Sequence, residues 1–295
     1  MDVSFRQIHL GHSTEIDNKI LYLIESELGG PATSIEILKR KLGYREGRSL
    51  LFGAFVEEKL IAMNMWIKLT FLLNSDEHIG YHSCFSATED SYKGNGIWPK
   101  LMSYCESEIK ITGASLLFGY PNEVSYPLFI HKLDYQEQKQ ARILIPKFLL
   151  WMPVILRNMI NNSSKHIKEN IFQPLLEDNI SWKKVEEDRN LYDFEFHGSK
   201  IWGKIRNVKK YSFSLRYFEI GGIYLKELEH FKILTSKIYN SRKVYLITMI
   251  VNQENPFNFK PLSQKVNTVS ITKPINGFSL DDARLVFFRG MSDIF

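Results

Sequence analysis

Residues 86–135, SATEDSYKGNGIWPKLMSYCESEIKITGASLLFGYPNEVSYPLFIHKLDY, decide the fold of this chain. The stretch predicts the end of a strand, a glycine-containing turn, a helix over 97–111, a short buried strand over 114–119 and a second helix ending before Asp134. The boundaries carry turn residues of the expected type, such as Pro121-Asn122 after the short strand. The predicted order is therefore strand, helix, strand, helix.

The turn before the first helix is Lys93-Gly94-Asn95-Gly96. Two glycines with an asparagine between them let the backbone fold tightly, so that successive N–H groups point the same way at the start of the helix. Such a nest of amides binds phosphate, although glycines before a helix also form ordinary turns. The turn is a candidate phosphate site whose interpretation depends on what surrounds it.

This order of elements resembles the core of the GNAT superfamily of acyl-coenzyme A dependent N-acyltransferases. In that family an Arg/Gln-x-x-Gly-x-Gly/Ala turn holds the coenzyme A pyrophosphate, and an Asn-x-x-Ser/Ala helix ending in Lys-Leu-Gly-Phe lies beside the pantetheine arm. The matching residues here are Lys93, Gly96, Asn122, Ser125 and Lys132-Leu133-Asp134-Tyr135. The resemblance covers roughly the first half of the chain and implies that acetyl-CoA or another acyl-CoA is the co-substrate.

The resemblance also implies a set of cofactor-binding residues. They are Phe85, Ser86, Lys93, Gly94, Asn95, Gly96, Ile97, Trp98, Asn122 and Ser125. Trp98 departs from the family pattern, because it stands where the family prefers Gly or Ala. The tyrosine that many members use to protonate the departing thiolate falls on Ile130. Tyr126, one helical turn away, is the candidate that remains for this role.

The strand predicted over 78–88 alternates its side chains between two faces. One face carries Ile79, Tyr81, Phe85 and Ala87, and the other carries His78, Gly80, His82, Cys84 and Ser86. In the family geometry this strand separates from the strand over 116–120 and admits the thioester, so a backbone N–H near 84–86 would polarise the carbonyl.

Attack by an amine needs a base, because a free amino group is mostly protonated at neutral pH. His82 is the candidate base, with Glu77 and Glu89 behind it, since the unperturbed pKa of histidine is near neutral. A histidine satisfied by a backbone partner explains the same pattern equally well. A zinc site is not predicted, because no third ligand accompanies His78 and His82. Cys84 lacks the base–orienter pair of a covalent nucleophile.

The rest of the first half predicts an edge strand over 3–9, helices over 14–28 and 34–42, and a hairpin of strands 49–56 and 60–73. Residues 141–145 are expected to complete the first sheet. The predicted fold class is α+β with α/β layering: a mixed, mostly antiparallel GNAT sheet flanked by helices, followed by a smaller, degenerate GNAT-like α+β domain. The expected bounds are 1–145 for the acyl-CoA domain, 146–180 for a helical connector and 181–295 for the second domain.

The second half alternates short strands with one amphipathic helix over 226–239, which repeats the order of the first half without its phosphate turn. Tandem GNAT-like chains of this kind occur with surface-polysaccharide genes, and the ending over 287–295 loosely resembles the Gly-Asp-Trp-Asp-Val-Phe tail of that group. The resemblance implies a primary amine as acceptor, such as an amino sugar. The apolar run over 148–156 is too short to span a bilayer, so buried packing is favoured over peripheral membrane contact.

Bulk properties limit the remaining classes. Residues 1–145 hold 15 basic and 18 acidic side chains and the remainder 23 and 15, so the positive charge belongs to the second half. That charge leaves open a transferase of the peptidoglycan-bridge type that uses aminoacyl-tRNA, although nucleic acid is not favoured. A third alternative is a catalytically inactive acyl-CoA-binding module. The N-terminus lacks a signal-peptide layout and the two cysteines form no scaffold, which predicts a cytoplasmic protein. The sequence does not define the oligomeric state.

Overall fold

The computed structural model describes residues 1–29, 34–41, 47, 49–73, 76–147, 171–174, 191–210, 213–227, 229–252, 263–280 and 284–285. Two compact units divide the chain. The first contains Met1–Leu69, His78–Glu137 and Ile271–Phe278, and the second contains Thr70–Glu77, Gln138–Ser270 and Ser279–Phe295. Of the predicted connector 146–180, residues 171–174 form a strand, and most of the remainder, including the apolar run over 148–156, lies outside the described residues.

The first unit is built from strands and helices in the predicted order. They are β1 (Ser4–Gln7), α1 (Thr14–Leu28), α2 (Ile35–Lys41), β2 (Ser49–Val56), β3 (Lys59–Leu73), β4 (Asp76–Thr88), α3 (Ile97–Ile111), β5 (Leu116–Gly119) and α4 (Tyr126–Lys132). The strands lie in the order β1-β2-β3-β4-β5. β1 and β2 pair antiparallel, as do β2 and β3, whereas β4 and β5 pair parallel.

Local sequence explains where these elements begin and end. The Ser13 hydroxyl accepts a hydrogen bond from the amide of Ile16 at the start of α1, and Gly29 ends the helix with φ 62°. The hairpin between β2 and β3 turns at Glu57 and Glu58, whose φ values of 47° and 66° match the turn type that suits the twist of paired strands. The predicted hairpin is therefore confirmed.

The core of the first unit lies between the sheet and the helices α3 and α4. Leu101, Cys105 and Ile109 recur at helical spacing on α3 and are fully buried. They belong to the same apolar cluster as Trp66 of β3 and Leu117 of β5. This packing fixes the position of α3 beneath the strands that it connects.

The last strand of the first sheet comes from the far end of the chain. Residues 271–274 of β12 (Ser263–Pro274) pair antiparallel with β5, from Ile271 opposite Gly119 to Pro274 opposite Leu116. Residues 141–145 were predicted to complete this sheet, but the strand beside β5 is formed by residues 271–274 instead, so the prediction was wrong on this point. An apolar strand has no local signal that selects its partner, since alternation specifies a face and not a neighbour.

The second unit repeats the order of the first. Its elements are β6 (Gln136–Pro146), β7 (Ile171–Pro174), β8 (Leu191–Phe196), β9 (Ser199–Lys210), β10 (Phe213–Tyr224), α5 (Glu229–Arg242), β11 (Leu246–Asn252), most of β12, and β13 (Arg284–Leu285). β8, β9 and β10 pair antiparallel in sequence order, and α5 then connects β10 to the parallel strand β11. β6 pairs antiparallel with the other edge of β11. The same plan of neighbouring strands, helix and parallel strand is thus present in each half.

One predicted break inside the second unit is absent. The sequence pattern predicts two separate strands, over 211–220 and 222–226. The structure instead has the continuous strand β10, with a register irregularity between Ile220 and Gly222. A Cβ at Gly222 would lie 2.4 Å from Nε1 of Trp202, so only glycine leaves room for the indole. The glycine marks a close approach within a strand rather than its end.

A partly buried ion pair connects β12 to the helices of the first unit. Nζ of Lys273 lies 2.7 Å from Oε2 of Glu106 on α3 and 2.7 Å from the carbonyl oxygen of Leu133 after α4. The side chain of Glu106 is only 7% exposed. Removal of the lysine therefore leaves a carboxylate with little access to water.

We expect Lys273→Met to lower the free energy of unfolding by about 2–3 kcal/mol, since an unpaired buried charge is costly. Urea denaturation measures this change. Adding Glu106→Gln should recover part of the loss, because it removes the stranded charge. Lys100→Met, at an exposed position of α3, is the matched control. A Lys273→Met protein as stable as that control contradicts the proposed role of the pair.

Candidate active site

The paired region of β4 and β5 is short and ends within the sheet. It runs from Gly80 opposite Leu116 to Ser83 opposite Gly119, where β5 ends, whereas β4 continues to Thr88. From Phe85 to Thr88, β4 therefore extends beyond the end of β5. An opening of this kind exposes backbone hydrogen-bonding groups that an extended ligand can use.

Phe85 interrupts the alternation of β4 within the opening. Its φ of 46° is left-handed, as in a β-bulge, and is uncommon for a bulky residue. Nδ2 of Asn64 on β3 donates to Oγ of Ser83 at 3.1 Å and to Oγ of Ser86 at 2.7 Å. In a regular strand, residues three apart lie on opposite faces, but here Ser83 and Ser86 both face Asn64. The prediction that Ser86 follows the regular alternation of β4 was therefore wrong.

The predicted phosphate turn joins β4 to α3 through a short 3-10 turn over Asp90–Tyr92. Gly94 and Gly96 have φ values of 78° and 70°, so both adopt the left-handed conformation that favours glycine. The amides of residues 94–98 donate no hydrogen bond to any residue that the structure describes. A Cβ on Gly94 or Gly96 would meet nothing within 4 Å, so space is open beside these amides.

The nest therefore has the features of an anion site at a helix N-terminus. Residues 94–96 are exposed, and the amides of the nest coincide with the positive end of the dipole of a 15-residue helix. The predicted residues Gly94, Asn95 and Gly96 lie in this turn, and Ile97 is the first residue of α3.

Lys93 lies at the start of the turn and is held by two carboxylates. Its Nζ is 2.6 Å from Oε2 of Glu27 on α1 and 3.1 Å from Oδ1 of Asp90. The hydrogen bond to Glu27, followed by that to Asp90, raises the pKa of Lys93 above its usual value. The lysine is charged at neutral pH, and its role as a pyrophosphate ligand stays a prediction.

Trp98, the departure from the family pattern, packs into the protein. Its Nε1 donates to Oγ of Ser86 at 2.7 Å. Its ring meets Phe129 of α4 edge-on, with 5.1 Å between the centroids. The indole therefore has its own place between β4 and α4.

Asn122 and Ser125 form the start of α4. Oδ1 of Asn122 accepts from the amides of Val124 at 3.1 Å and Ser125 at 2.8 Å, and the amide of Asn122 donates to Oγ of Ser125 at 3.1 Å. These bonds satisfy backbone donors that the helix itself leaves without partners. The two side chains hold the turn after β5, and any contact with a cofactor would be additional.

His82 lies on β4 close to the opening. It is only 2% exposed and stacks on Phe118 of β5, with 5.2 Å between ring centroids and 17° between the planes. Tyr120, the first residue after β5, meets the His82 ring edge-on at 5.6 Å. Burial raises the pKa of Tyr120, so its hydroxyl remains protonated at neutral pH. The sequence reasoning missed this tyrosine, although its place directly after a strand that ends at the opening was a usable signal.

The other predicted catalytic residues lie elsewhere. Glu77 is exposed and belongs to the second unit. The hydroxyl of Tyr126 donates to Oε2 of Glu137 at 2.5 Å, which raises its pKa. Glu89 binds the ammonium groups of Lys19 at 2.7 Å and Lys59 at 3.0 Å. Of the predicted catalytic groups, the structure thus brings His82 to the opening of the sheet.

The described residues contain no group of three or more His, Cys, Asp or Glu side chains placed to hold a metal ion. Among them there is also no helix long and apolar enough to cross a membrane. Cys84 and Cys105 are both buried, and burial raises the pKa of the Cys105 thiol.

Solved structures identify the fold. The chain is similar to a GCN5-related N-acetyltransferase from Kribbella flavida, with a TM-score of 0.65 and 10% identity, covering 93% of this chain and 71% of that one. For a GCN5-related N-acetyltransferase from Anabaena variabilis the TM-score is 0.63 and the identity 11%, covering 93% of this chain and 73% of that one. For Eis1 from Mycobacterium abscessus the TM-score is 0.58 and the identity 11%, covering 92% of this chain and 73% of that one.

The chain therefore has the GNAT fold, in the α+β class, which confirms the fold predicted from residues 86–135. At these identities the similarity establishes the architecture alone. No protein-family model matches the sequence. No curated protein is significantly similar to it.

We expect Asn122→Ala to lower the free energy of unfolding by about 1 kcal/mol, because two amides at the start of α4 lose their acceptor. Chemical denaturation measures the loss, and Asn122→Asp should retain most of the stability. Glu123→Ala, at the exposed neighbouring position, serves as the control. Equal stability of Asn122→Ala and this control would show that the cap contributes nothing.

Proposed function

We propose that this protein is an acyl-CoA dependent N-acyltransferase. The observation that carries the proposal is the combination of a free amide nest at the start of α3 with the opening between β4 and β5. The nest suits a diphosphate, and the opening suits an extended amide-containing arm that leads to a thioester. Coenzyme A joins these two chemical groups in one molecule.

The residues of the opening suggest how the reaction proceeds. The nitrogen of a primary amine attacks the thioester carbon, the C–S bond breaks, and the amine loses a proton while the thiolate gains one. Backbone amides of β4 beyond Cys84 supply hydrogen bonds to the developing oxyanion. We assign the role of base to His82, acting directly or through water, as predicted from the sequence.

Tyr120 is our candidate for the proton donor to the thiolate. It lies beside His82 at the end of β5, and burial keeps its hydroxyl protonated. Tyr126, the donor suggested by the sequence, donates its hydroxyl hydrogen bond to Glu137 instead. Tyr120 thus supplies a phenol from the end of β5, whereas the position of the usual family tyrosine is taken by Ile130 in α4.

The acceptor in this proposal is a small primary amine in the cytoplasm. An amino sugar of surface-glycan synthesis is the first class to test, on the basis of the ending over 287–295, which lies outside the described residues. Use of aminoacyl-tRNA predicts salt-sensitive tRNA binding without coenzyme A binding. An inactive module predicts coenzyme A binding without turnover of any amine. Calorimetry followed by an amine screen separates these alternatives.

We expect isothermal titration to show acetyl-CoA and coenzyme A binding to the wild-type protein. Gly96→Asp should weaken binding at least about 30-fold, because it places a negative charge beside the diphosphate. Asp tolerates the left-handed conformation of Gly96, so the fold should survive.

Gly96→Asn is the matched control for that experiment, since asparagine has nearly the same volume and backbone tolerance but no charge. It should bind coenzyme A more weakly than the wild type and clearly better than Gly96→Asp. If Gly96→Asp binds coenzyme A as tightly as the wild type, the nest does not hold the pyrophosphate.

Tyr120→Phe should lower kcat for acyl transfer about 100-fold with little change in KM, since it removes the proton donor and keeps the ring. Steady-state rates with the best amine, measured across pH, test this. Tyr126→Phe should give a much smaller loss. The reverse order of the two losses would assign the proton donor to Tyr126.

A further inference from the structure

We propose that the hydroxyl of Ser86 is a fixed hydrogen-bond donor to a carbonyl oxygen of bound acyl-CoA, and that Asn64 and Trp98 are the residues that orient it. The inference rests on the proposed function and deepens it, since it names two positioning residues that the family pattern does not contain. Ser86, Asn64 and Trp98 all belong to the first unit.

The neighbours of the Ser86 hydroxyl determine which groups it accepts from and where its proton can donate. A serine hydroxyl has one proton to donate and two lone pairs that accept. Nε1 of Trp98 is only a donor and lies 2.7 Å from Oγ, and Nδ2 of Asn64 also lies 2.7 Å from it. Both lone pairs are thus occupied. The O–H proton has no acceptor among the described residues, so it is available to a ligand.

The orientation of the Asn64 amide supports this count. With Nδ2 facing the serines, both amide protons are satisfied, one by Ser83 and one by Ser86. Only Oδ1 then lacks a partner among the described residues. The reversed amide would bury an NH₂ group with two unsatisfied donors, which is less favourable because Asn64 is 0% exposed.

The position of Ser86 selects acyl-CoA as the recipient of this hydrogen bond. It lies three residues beyond Ser83, the last residue of β4 that faces β5, and therefore within the opening. Through Trp98 it is bonded to the first turn of α3, whose amides form the nest. The hydroxyl thus lies between the diphosphate site and the place where the thioester enters. The groups of the pantetheine arm that accept there are its amide carbonyls and the thioester carbonyl.

The test compares Ser86→Ala, Ser86→Thr, Trp98→Phe and Ser86→Ala/Trp98→Phe with the wild type. Calorimetry gives Kd for coenzyme A, and steady-state kinetics with acetyl-CoA gives kcat and KM. Ser103→Ala is the control, because Oγ of Ser103 donates to the carbonyl oxygen of Pro99 on the exposed face of the same helix. Thermal unfolding of each variant identifies any loss of folded protein.

We expect Ser86→Ala either to weaken coenzyme A binding or to lower kcat by about fivefold to tenfold, which is the usual effect of losing one neutral hydrogen bond. A loss in Kd for coenzyme A places the acceptor on a pantetheine amide, and a loss in kcat alone places it on the thioester; both support the proposal. Ser86→Thr should restore the wild-type values, because it keeps the hydroxyl. Trp98→Phe keeps an aromatic ring against Phe129. It should weaken coenzyme A binding or lower kcat only when Ser86 is present.

Two results overturn the inference while leaving the proposed function intact. One is a Ser86→Ala protein with wild-type Kd, kcat and KM. The other is a Trp98→Phe effect that is equally large with and without Ser86, which would show that the indole does not act through the hydroxyl. By contrast, a wild-type protein that does not bind coenzyme A rejects the proposed function itself. If Ser86→Ala fails to fold, Ser86→Thr and Trp98→Phe still decide the question.

Discussion

The candidate site depends on the parallel pairing of β4 and β5 ending after Ser83 and Gly119. Parallel neighbours must be joined by a crossover, and here α3 supplies it. A crossover helix begins close to where the preceding strand ends, so the amides at the start of α3 follow the end of β4 that extends beyond β5 along the chain. The candidate phosphate site and the opening of the sheet are therefore neighbours as a result of chain topology. Few side chains are needed to bring the two together.

The same plan occurs twice, and each unit is completed by a strand from the other half of the sequence. β5 of the first unit pairs with residues 271–274, and β11 of the second unit pairs with β6, which follows α4 along the chain. Such pairings close long loops before they contribute contacts, which slows folding more than it reduces stability. The ion pair of Lys273 with Glu106 then joins the returning strand to the helix that carries the nest.

Local patterns predicted most of the elements of the first half and the glycine turn, because helix periodicity, capping and turn residues act over a few positions. The partner of β5 was not predictable in this way, since it lies about 150 residues away along the chain. Ser86 was placed on the wrong face because a single left-handed residue, Phe85, shifts the alternation of β4, and phenylalanine gives no sequence signal for that conformation. Tyr120 was missed although it directly follows the strand predicted over 114–119, because its contact with His82 joins two different strands.

Trp98 shows how a residue that departs from a family pattern can preserve the property that the pattern serves. The indole turns toward Phe129 and Ser86, and the four residues of the turn, 93–96, remain exposed. At the other end of the turn, Lys93 is held by Glu27 and Asp90. A turn fixed at both ends loses less conformational entropy when it binds a ligand, and this preorganisation favours affinity. The tryptophan is consequently compatible with the proposed phosphate site, because it leaves the space beside Gly94 and Gly96 open.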